Sequence, residues 1–289
     1  MIALTIRHKT TYRYNTSVEL GAHRLMLRPR ESRELRLISS ELMVKPEAAV
    51  TWAHDVFGNA VATATFAGTT DHLAIDSVLQ LELDASAWPV FDVAPSAISY
   101  PFPYLSDDRA DLGALALQQY PDPMGRLRLW AEAFVATRPT DTLSLLKDLS
   151  AGITAWVRYQ SREDVGTQSP LETLDRGWGS CRDFAVLFVE AARGLGFGAR
   201  IVSGYLYNPE REQEQGTTHA WAEVFVPGAG WITFDPTNRG VGGFNLIPVA
   251  VGRGIHQVMP VAGSFIGTTD AFQGLWVDVS VTSEGQPYR

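Results

Sequence analysis

The sequence predicts an α+β protein in which an N-terminal antiparallel, β-sandwich-like domain precedes a core of helices packed on an antiparallel sheet. Two patterns support this prediction. Hydrophobic residues alternate with a period of two in the first 85 residues, whereas between positions 106 and 195 they recur every three or four residues. The chain has 289 residues, 45% of them hydrophobic and 19% charged, which suffices for two domains with apolar cores.

The N-terminal domain is predicted over residues 1–85. Apolar and aromatic residues hold every second position from Ile2 to Tyr14, which indicates a long half-buried strand, and a second alternation runs from Leu73 to Leu83. The sequence Phe57-Gly58-Asn59 supplies a turn between strand-like segments. Residues 1–85 are therefore expected to form antiparallel strands.

A proline-rich linker over 86–104 separates this domain from the second one, predicted over 105–289 with C-terminal strands included. The linker contains Pro89, Pro95, Pro101 and Pro103, which disfavour helix and central strand. Helical periodicity then appears near 106–119, 124–137 and 141–159, and Asp141 is a suitable N-cap for the last of these helices.

Charge and composition exclude several classes of function. The chain carries 24 Lys and Arg against 32 Asp and Glu, a net charge of −8, which argues against nucleic acid as the main partner. No apolar run approaches the length of a membrane span, so no membrane partner is expected, and the N-terminus lacks the features of a secretory signal. One cysteine excludes an intrachain disulfide and suits a reducing compartment. We expect a cytoplasmic protein.

No metal or other cofactor is predicted. The histidines of the N-terminal domain lack the close spacing of metal ligands and are expected to be packing or surface residues; they are His8, His23, His54 and His72. No acidic loop has the spacing of a calcium site.

The positive charge is concentrated near the N-terminus. Residues 1–45 carry nine basic and four acidic residues, a net charge of +5. The arginines Arg28, Arg30, Arg33 and Arg36 either form a solvated strand face or dock this segment on the acidic remainder of the chain.

The segment from Ser169 to Gly196 places the one cysteine at a helix start. Ser169-Pro170-Leu171-Glu172 forms a capping box for a short helix, a glycine-rich turn follows, and Ser180 is the expected N-cap of a second helix that Gly194 and Gly196 close. Cys181 then lies in the first turn, where free backbone N–H groups and the positive helix end lower a thiol pKa. Alternatively, Cys181 is a small buried packing residue.

A β-hairpin brings a histidine and a carboxylate together. Residues 199–206 and 218–226 form strands, and Pro227-Gly228-Ala229-Gly230 turns the chain into a strand that ends at Asp235. A two- or four-residue loop would put His219 and Asp235 on opposite faces of the sheet. A three- or five-residue loop, or a bulge, makes them diagonal neighbours on one face, and we predict this second arrangement.

Together Cys181, His219 and Asp235 supply the nucleophile, base and orienting carboxylate of an acyl-transfer site. The Cys181 N–H is the expected oxyanion donor. A second donor or a wall of the substrate cleft could come from Trp178, Tyr159 or Trp221. Asp183 and Glu223 compete with Asp235 as orienting groups, but Asp183 is better placed to cap Ser180.

These segments resemble the bacterial transglutaminase-like proteins, often described as cysteine proteases. The resemblance is carried by Gly-Ser-Cys-Arg-Asp-Phe-Ala (179–185), Gly-Leu-Gly-Phe-Gly-Ala-Arg-Ile-Val-Ser-Gly-Tyr-Leu (194–206), His-Ala-Trp-Ala-Glu-Val (219–224) and Gly-Trp-Ile-Thr-Phe-Asp-Pro-Thr-Asn (230–238). It extends to the N-terminal domain through Tyr12-Arg13-Tyr14, Leu27-Arg28-Pro29-Arg30 and Asp55-Val56-Phe57-Gly58-Asn59, and to the tail through Val251-Gly252-Arg253.

The resemblance implies a papain-like α+β core with Cys181, His219 and Asp235 as its triad. Two positions depart from the family pattern: Arg182 stands where glutamine is expected, and Ile255-His256 occupies a tail position that is usually polar or acidic. These departures concern substrate recognition and leave the triad unchanged.

The expected activity is cysteine-dependent acyl transfer on amide bonds of a protein or peptide, as peptidase, amidase or transglutaminase, through a thioester. The alternative is a catalytically silent binding or assembly module that recognises its partner with the β-domain. The loop 207–217, with Glu210, Glu212 and Glu214, is either solvated or rims the cleft and favours basic substrates. The sequence does not determine the oligomeric state.

Overall fold

The computed structural model describes residues 1–161, 166–209 and 218–283. The glutamates of the 207–217 loop, Glu210, Glu212 and Glu214, lie outside these ranges. Within the same ranges, none of the helices combines the length and the apolar character needed to cross a bilayer.

The first part of the chain folds into strands, as the alternation predicts. These strands are β1 (Ile2–Leu20), β2 (His23–Leu25), β3 (Leu35–Lys45), β4 (Ala48–His54), β5 (Ala60–Phe66) and β6 (Thr69–Leu83). The linker holds a 3-10 turn at Pro95–Ala97 and strand β7 (Ser99–Tyr100).

Helices and the central sheet follow. They are α1 (Ser106–Leu112), a 3-10 turn at Gly113–Ala116, α2 (Arg126–Glu132), β8 (Thr140–Asp141), α3 (Thr142–Trp156), β9 (Arg158–Tyr159), α4 (Pro170–Arg176), β10 (Trp178–Gly179), α5 (Cys181–Gly194), β11 (Gly198–Leu206), β12 (Thr218–Val226), β13 (Gly230–Asp235), β14 (Gly240–Val241) and β15 (Leu246–Gly252). The tail adds a 3-10 turn at Ile255–Gln257 and strands β16 (Val261–Ala262), β17 (Phe265–Ile266) and β18 (Phe272–Ser283).

Helix boundaries agree with the predicted caps and are shorter than the predicted periodic segments. The Asp141 carboxylate accepts a hydrogen bond from the Ser144 N–H at 2.7 Å, and the predicted capping box of Ser169 and Glu172 is formed. The segment predicted near 106–119 contains only α1 and the turn after it, and the segment predicted near 124–137 contains α2. Periodicity marks a buried face but does not fix where a helix ends.

The N-terminal domain is a sandwich of two antiparallel sheets. One sheet has the order β17-β1-β6-β3, with β18 also paired to β1, and the other has the order β16-β2-β5-β4. Apolar side chains from both sheets meet between them, which gives this domain its own core; they include Tyr14, Leu25, Ala62, Leu73 and Ile75.

The C-terminal strands belong to this sandwich, which differs from the predicted division that placed them with residues 105–289. Strand β18 runs antiparallel to β1 from Ser283 opposite Leu4 to Phe272 opposite Tyr14. Val279 and Val281 point into the core beside Ile6. The sequence pattern of β18 indicates a strand but carries no information about a partner more than 250 residues away.

The second domain packs its helices on the sheet β14-β13-β12-β11-β15. Helix α5 is enclosed on all sides, with every residue from Asp183 to Arg193 buried, and Phe188 lies 5.3 Å from Phe234 of β13 between ring centroids. Removing one such aromatic side chain costs about 3–5 kcal/mol. The position of α5, and of the residue that begins it, is therefore fixed by packing.

A buried ion pair anchors the other end of α5. Glu190 and Arg193 are 2.6 Å apart and almost fully buried. Glu190 accepts from the N–H groups of Gln119 and Tyr120, and Arg193 donates to the carbonyls of Ala199 and Arg253. Because each charge is paired and hydrogen-bonded, the helix carries them inside the core.

Two arginines of the basic N-terminal segment lie in different surroundings. Arg30 lies at the interface with the second domain and donates its backbone N–H to the Pro248 carbonyl at 2.8 Å. Arg36 instead pairs with Glu82 on the surface of its own sheet.

The assignment of β18 to the sandwich predicts a difference between two aspartate substitutions. Val279 is 1% exposed, whereas Val277, two residues earlier on the same strand, is 43% exposed. We expect Val279→Asp to lower the free energy of unfolding by about 3 kcal/mol or more, because it buries an unpaired charge. Val277→Asp should change it by less than about 1 kcal/mol. Denaturant unfolding of both variants tests this, and equal losses would contradict the assignment.

Candidate active site

The first turn of α5 holds Cys181 at the end of a buried helix. The N-cap residue Ser180 donates its backbone N–H and its hydroxyl to the Asp183 carboxylate, each at 2.8 Å. The other oxygen of Asp183 accepts from the Gln168 N–H at 2.7 Å. Asp183 thus caps the helix, as predicted, and is not available to orient a histidine. Cys181 as a whole residue is partly exposed.

The short parallel strands β9 and β10 hold Tyr159 and Gly179 next to each other, directly before helix α5. Strand β9 pairs with β10 so that Tyr159 lies opposite Gly179. A Cβ atom on Gly179 would lie 2.9 Å from the Asp183 Cβ, so glycine is required for this close approach. The Tyr159 ring packs edge-on against Phe184 at 6.1 Å and remains 48% exposed.

The β12–β13 hairpin brings His219 and Asp235 to the same face of the sheet. Val226 pairs with Gly230 and Ala222 with Phe234, so a three-residue loop over 227–229 connects the strands. This is the predicted register. The Nε2 atom of His219 lies 2.8 Å from Oδ2 of Asp235, and both side chains are buried. The other ring nitrogen is left for the thiol, which hydrogen-bonds the imidazole.

Asn238 completes the environment of the carboxylate. Its side-chain amide donates to Oδ2 of Asp235 at 2.7 Å, while the N–H groups of Thr237 and Asn238 donate to Oδ1. Asn238 is not among the site residues predicted from the sequence. The signal was present in Asp235-Pro-Thr-Asn238, because an aspartate that starts a turn commonly accepts N–H groups two and three residues later.

Glu223 is excluded as the orienting group. It forms an ion pair with Arg200 at 2.6 Å, and the Arg200 guanidinium lies over the Trp231 ring at 4.0 Å. Its place on β12 is four residues beyond His219.

The electrostatics of the site favour a charged pair. Burial opposes charge on His219, but the hydrogen bonds and charges of Asp235 and Cys181 outweigh it and raise the pKa of His219 to about 10. Burial also opposes the thiolate, but His219, the Ala220 N–H and the charge of Arg182 lower the pKa of Cys181. The pKa of Asp235 is lowered in spite of burial, because His219 and Asn238 stabilise the carboxylate.

The three additional site residues of the sequence analysis lie in different surroundings. Burial, and to a smaller extent the negative charges of Cys181 and Asp235, raise the pKa of Tyr159, and this residue is 48% exposed. Trp178 is half-buried beside Arg176, whose guanidinium lies 5.6 Å from the ring centroid. Trp221 is 1% exposed and stacks on the His219 imidazole at 5.9 Å. Trp221 therefore supports the histidine and does not form an exposed cleft wall.

The described residues offer no metal centre: over 1–161, 166–209 and 218–283, no group of three or more His, Cys, Asp or Glu side chains is placed to hold an ion. His8 is buried, with hydrogen bonds to Tyr205 at 2.9 Å and to Thr10 at 3.0 Å. The chemistry that the arrangement offers is that of a thiolate at a helix N-terminus next to an imidazolium.

Comparison with known proteins identifies both domains. Residues 4–82 match the bacterial transglutaminase-like N-terminal region, and residues 128–236 match the transglutaminase-like superfamily. The crystal structure of "a Putative Cysteine Protease from Cytophaga hutchinsonii" superposes with a TM-score of 0.78 at 19% identity, covering 100% of this chain and 92% of that one. At this identity the likeness shows a shared fold.

Two curated relatives match part of the chain. The Mycobacterium leprae protein ML0607 is 38% identical over 121 residues, which are 39% of this chain and 42% of that protein. The Bacillus subtilis protein YebA is 33% identical over 85 residues, 26% of this chain and 11% of that protein. The chain thus spans less than half of the length of the curated relatives it matches.

The hydrogen bond between Asp235 and His219 predicts how the thiol responds to pH. In Asp235→Asn the imidazolium loses its anionic partner, the thiolate is stabilised less, and the pKa of Cys181 rises. We expect the midpoint of iodoacetamide alkylation to move up by about one pH unit, corresponding to about 1.4 kcal/mol. Glu223→Gln, on the same face of β12, is the control and should leave the profile unchanged. Superimposable profiles for wild type and Asp235→Asn would contradict the assignment of Asp235.

Proposed function

Because the chain belongs to the transglutaminase-like superfamily, we propose that it catalyses acyl transfer from amide bonds of a peptide or protein through a thioester on Cys181. The observation that carries this proposal is the hydrogen-bonded chain from the thiol of Cys181, a partly exposed residue, through His219 to Asp235. Nucleophile, base and orienting group are thereby joined in one line.

In the first half of the reaction, the Cys181 thiolate attacks the carbonyl carbon of the substrate amide. The carbonyl oxygen becomes an oxyanion next to the N-terminus of α5, where the Cys181 N–H and the helix dipole favour negative charge. The His219 imidazolium gives its proton to the leaving nitrogen as the carbon–nitrogen bond breaks. An amine departs and the acyl group remains on sulfur.

In the second half, neutral His219 removes a proton from the incoming nucleophile, which attacks the thioester and releases the thiolate. Water as nucleophile gives hydrolysis, and a primary amine gives a new amide. Asp235 keeps the imidazole in the required orientation in both halves, and the N–H groups of Thr237 and Asn238 keep Asp235 ionised. We expect Tyr159 to contact the substrate, because this residue is half exposed and the charge of Cys181 acts on its phenol.

An acyl-enzyme test addresses this proposal without knowledge of the natural substrate. With p-nitrophenyl acetate, attack by Cys181 releases p-nitrophenolate and leaves an acetyl thioester, which intact-mass spectrometry and peptide mapping locate. We expect the adduct on Cys181 in the wild type and none in Cys181→Ala. In His219→Ala, formation of the adduct at neutral pH should fall by about 10²–10⁴-fold, because the base is missing.

The same intermediate separates the two reactions. An acetylated wild-type protein that loses its acetyl group faster in the presence of a primary amine, with formation of the acetamide, acts as a transferase, and one that is indifferent to the amine acts as a hydrolase. A wild-type Cys181 that is alkylated by iodoacetamide but never acylated would contradict the proposed activity and favour the binding-module alternative.

A further inference from the structure

One of the contacts of the N-terminal domain with the catalytic sheet is the turn from Asp55 to Asn59, of which Asn59 is the fully buried member. The Asn59 side chain accepts from the Val251 N–H at 2.9 Å and donates to the Val251 carbonyl at 2.7 Å. Val251 belongs to β15, an edge strand of the core sheet. The amide of Asn59 therefore occupies the place of a neighbouring strand and satisfies the exposed peptide groups of that edge.

The turn is rigid before it reaches the sheet. Asp55 accepts from the N–H groups of Phe57 and Asn59, each at 2.9 Å, and from the Asn59 side chain at 2.8 Å. The Arg30 guanidinium donates to the Phe57 carbonyl at 3.0 Å and to Oδ1 of Asn59 at 2.7 Å. These contacts leave the Phe57 side chain aimed at the core domain.

Phe57 packs against a small apolar cluster on the far side of the sheet from α5. The cluster consists of Val202, Trp221, Leu246 and Val251, with Phe57 and Leu206 packed on it. It is separate from the large core that surrounds α5. A Cβ atom on Gly204 would lie 2.8 Å from the Trp221 ring and 2.0 Å from the Ile247 carbonyl oxygen, so the indole is closely confined by the backbone as well.

Trp221 connects this cluster to the active site. Its ring stacks on the His219 imidazole with an interplanar angle of 28°. The imidazole must keep one orientation to bond Asp235 through Nε2 and the thiol through its other nitrogen. Because packing fixes the Trp221 indole, the indole can in turn fix the orientation of the His219 imidazole.

We propose that the Asp55–Asn59 turn of the N-terminal domain is a positioning element for His219, which acts through Phe57 and Trp221. This inference rests on the proposed function for the role of His219. It extends that function because it assigns the orientation of the catalytic imidazole to the N-terminal domain. Phe57 touches neither substrate nor the reacting atoms, so it is a positioning residue. Phe57 supports the indole on which the imidazole lies through the apolar cluster against which it packs.

The test compares Phe57→Ala with Phe57→Leu and two controls. Val56→Ala changes the adjacent residue of the same turn, whose side chain is 93% exposed. Phe66→Ala removes an aromatic ring from the sandwich core, beside His23, and controls for lost stability alone. The readouts are the pH profile of iodoacetamide alkylation and the ring-proton chemical shifts of His219, with thermal unfolding measured for each variant.

We expect Phe57→Ala to move the midpoint of the alkylation profile up by about one pH unit, which corresponds to a rise of one unit in the pKa of Cys181, and to shift the His219 ring protons. Phe57→Leu should retain most of the wild-type profile, and both controls should match the wild type in both readouts. Unchanged His219 shifts in Phe57→Ala, or equal changes in Phe66→Ala, would overturn the positioning role. A wild-type thiol that reacts like a free cysteine, with His219 shifts still dependent on Phe57, would contradict the proposed function and leave the positioning contact standing.

Discussion

The enclosure of helix α5 is the constraint on which the site depends. Its residues from Asp183 to Arg193 are buried, so the helix cannot slide or rotate without opening cavities or burying unpaired charge. Its N-terminus is therefore held in one place, where the Ser180–Asp183 cap fixes the first turn. The fixed first turn also fixes the position of the Cys181 thiol, at a helix end whose dipole favours a thiolate.

The sheet supplies the other half of the site through its register. One residue more or fewer in the loop over 227–229 would move Asp235 to the opposite face, and His219 would lose its partner at 2.8 Å. Burial alone would make both groups neutral. Paired with each other, with Asn238 and with the thiol, they remain charged, and the pKa values of Cys181 and His219 move in the directions that a thiolate–imidazolium pair requires. On the same face of the sheet as His219 and Asp235, Trp221 joins this pair to the N-terminal domain.

Local patterns in the sequence were sufficient for much of this account. Turn chemistry and a hydrophobic period of two predict the capping boxes at Ser169 and Ser180, the strand ends near Asp235, and the shared face of His219 and Asp235. These local patterns do not predict the pairing of β18 with β1, the burial of Trp221 or the contact of Asn59 with Val251. Each depends on residues far apart in the chain, and strand alternation or a lone asparagine does not specify its distant partner. Asn238 is intermediate between these two groups. The turn motif Asp235-Pro-Thr-Asn238 is visible in the sequence, but the contact of Asn238 with the active site depends on the position of this turn in the fold.

The hydrogen bonds and negative charges of Asp235 and Cys181 are expected to keep His219 positively charged at neutral pH. The most direct measurement is a ¹⁵N NMR titration of the His219 imidazole in the native protein between about pH 5 and pH 9. Both ring nitrogens should stay protonated across this range, since the pKa of His219 is raised to about 10. Asp235→Asn should bring the titration into the range. A wild-type imidazole that loses a proton near its ordinary pKa of about 6.5 would contradict a positive charge on His219 at neutral pH.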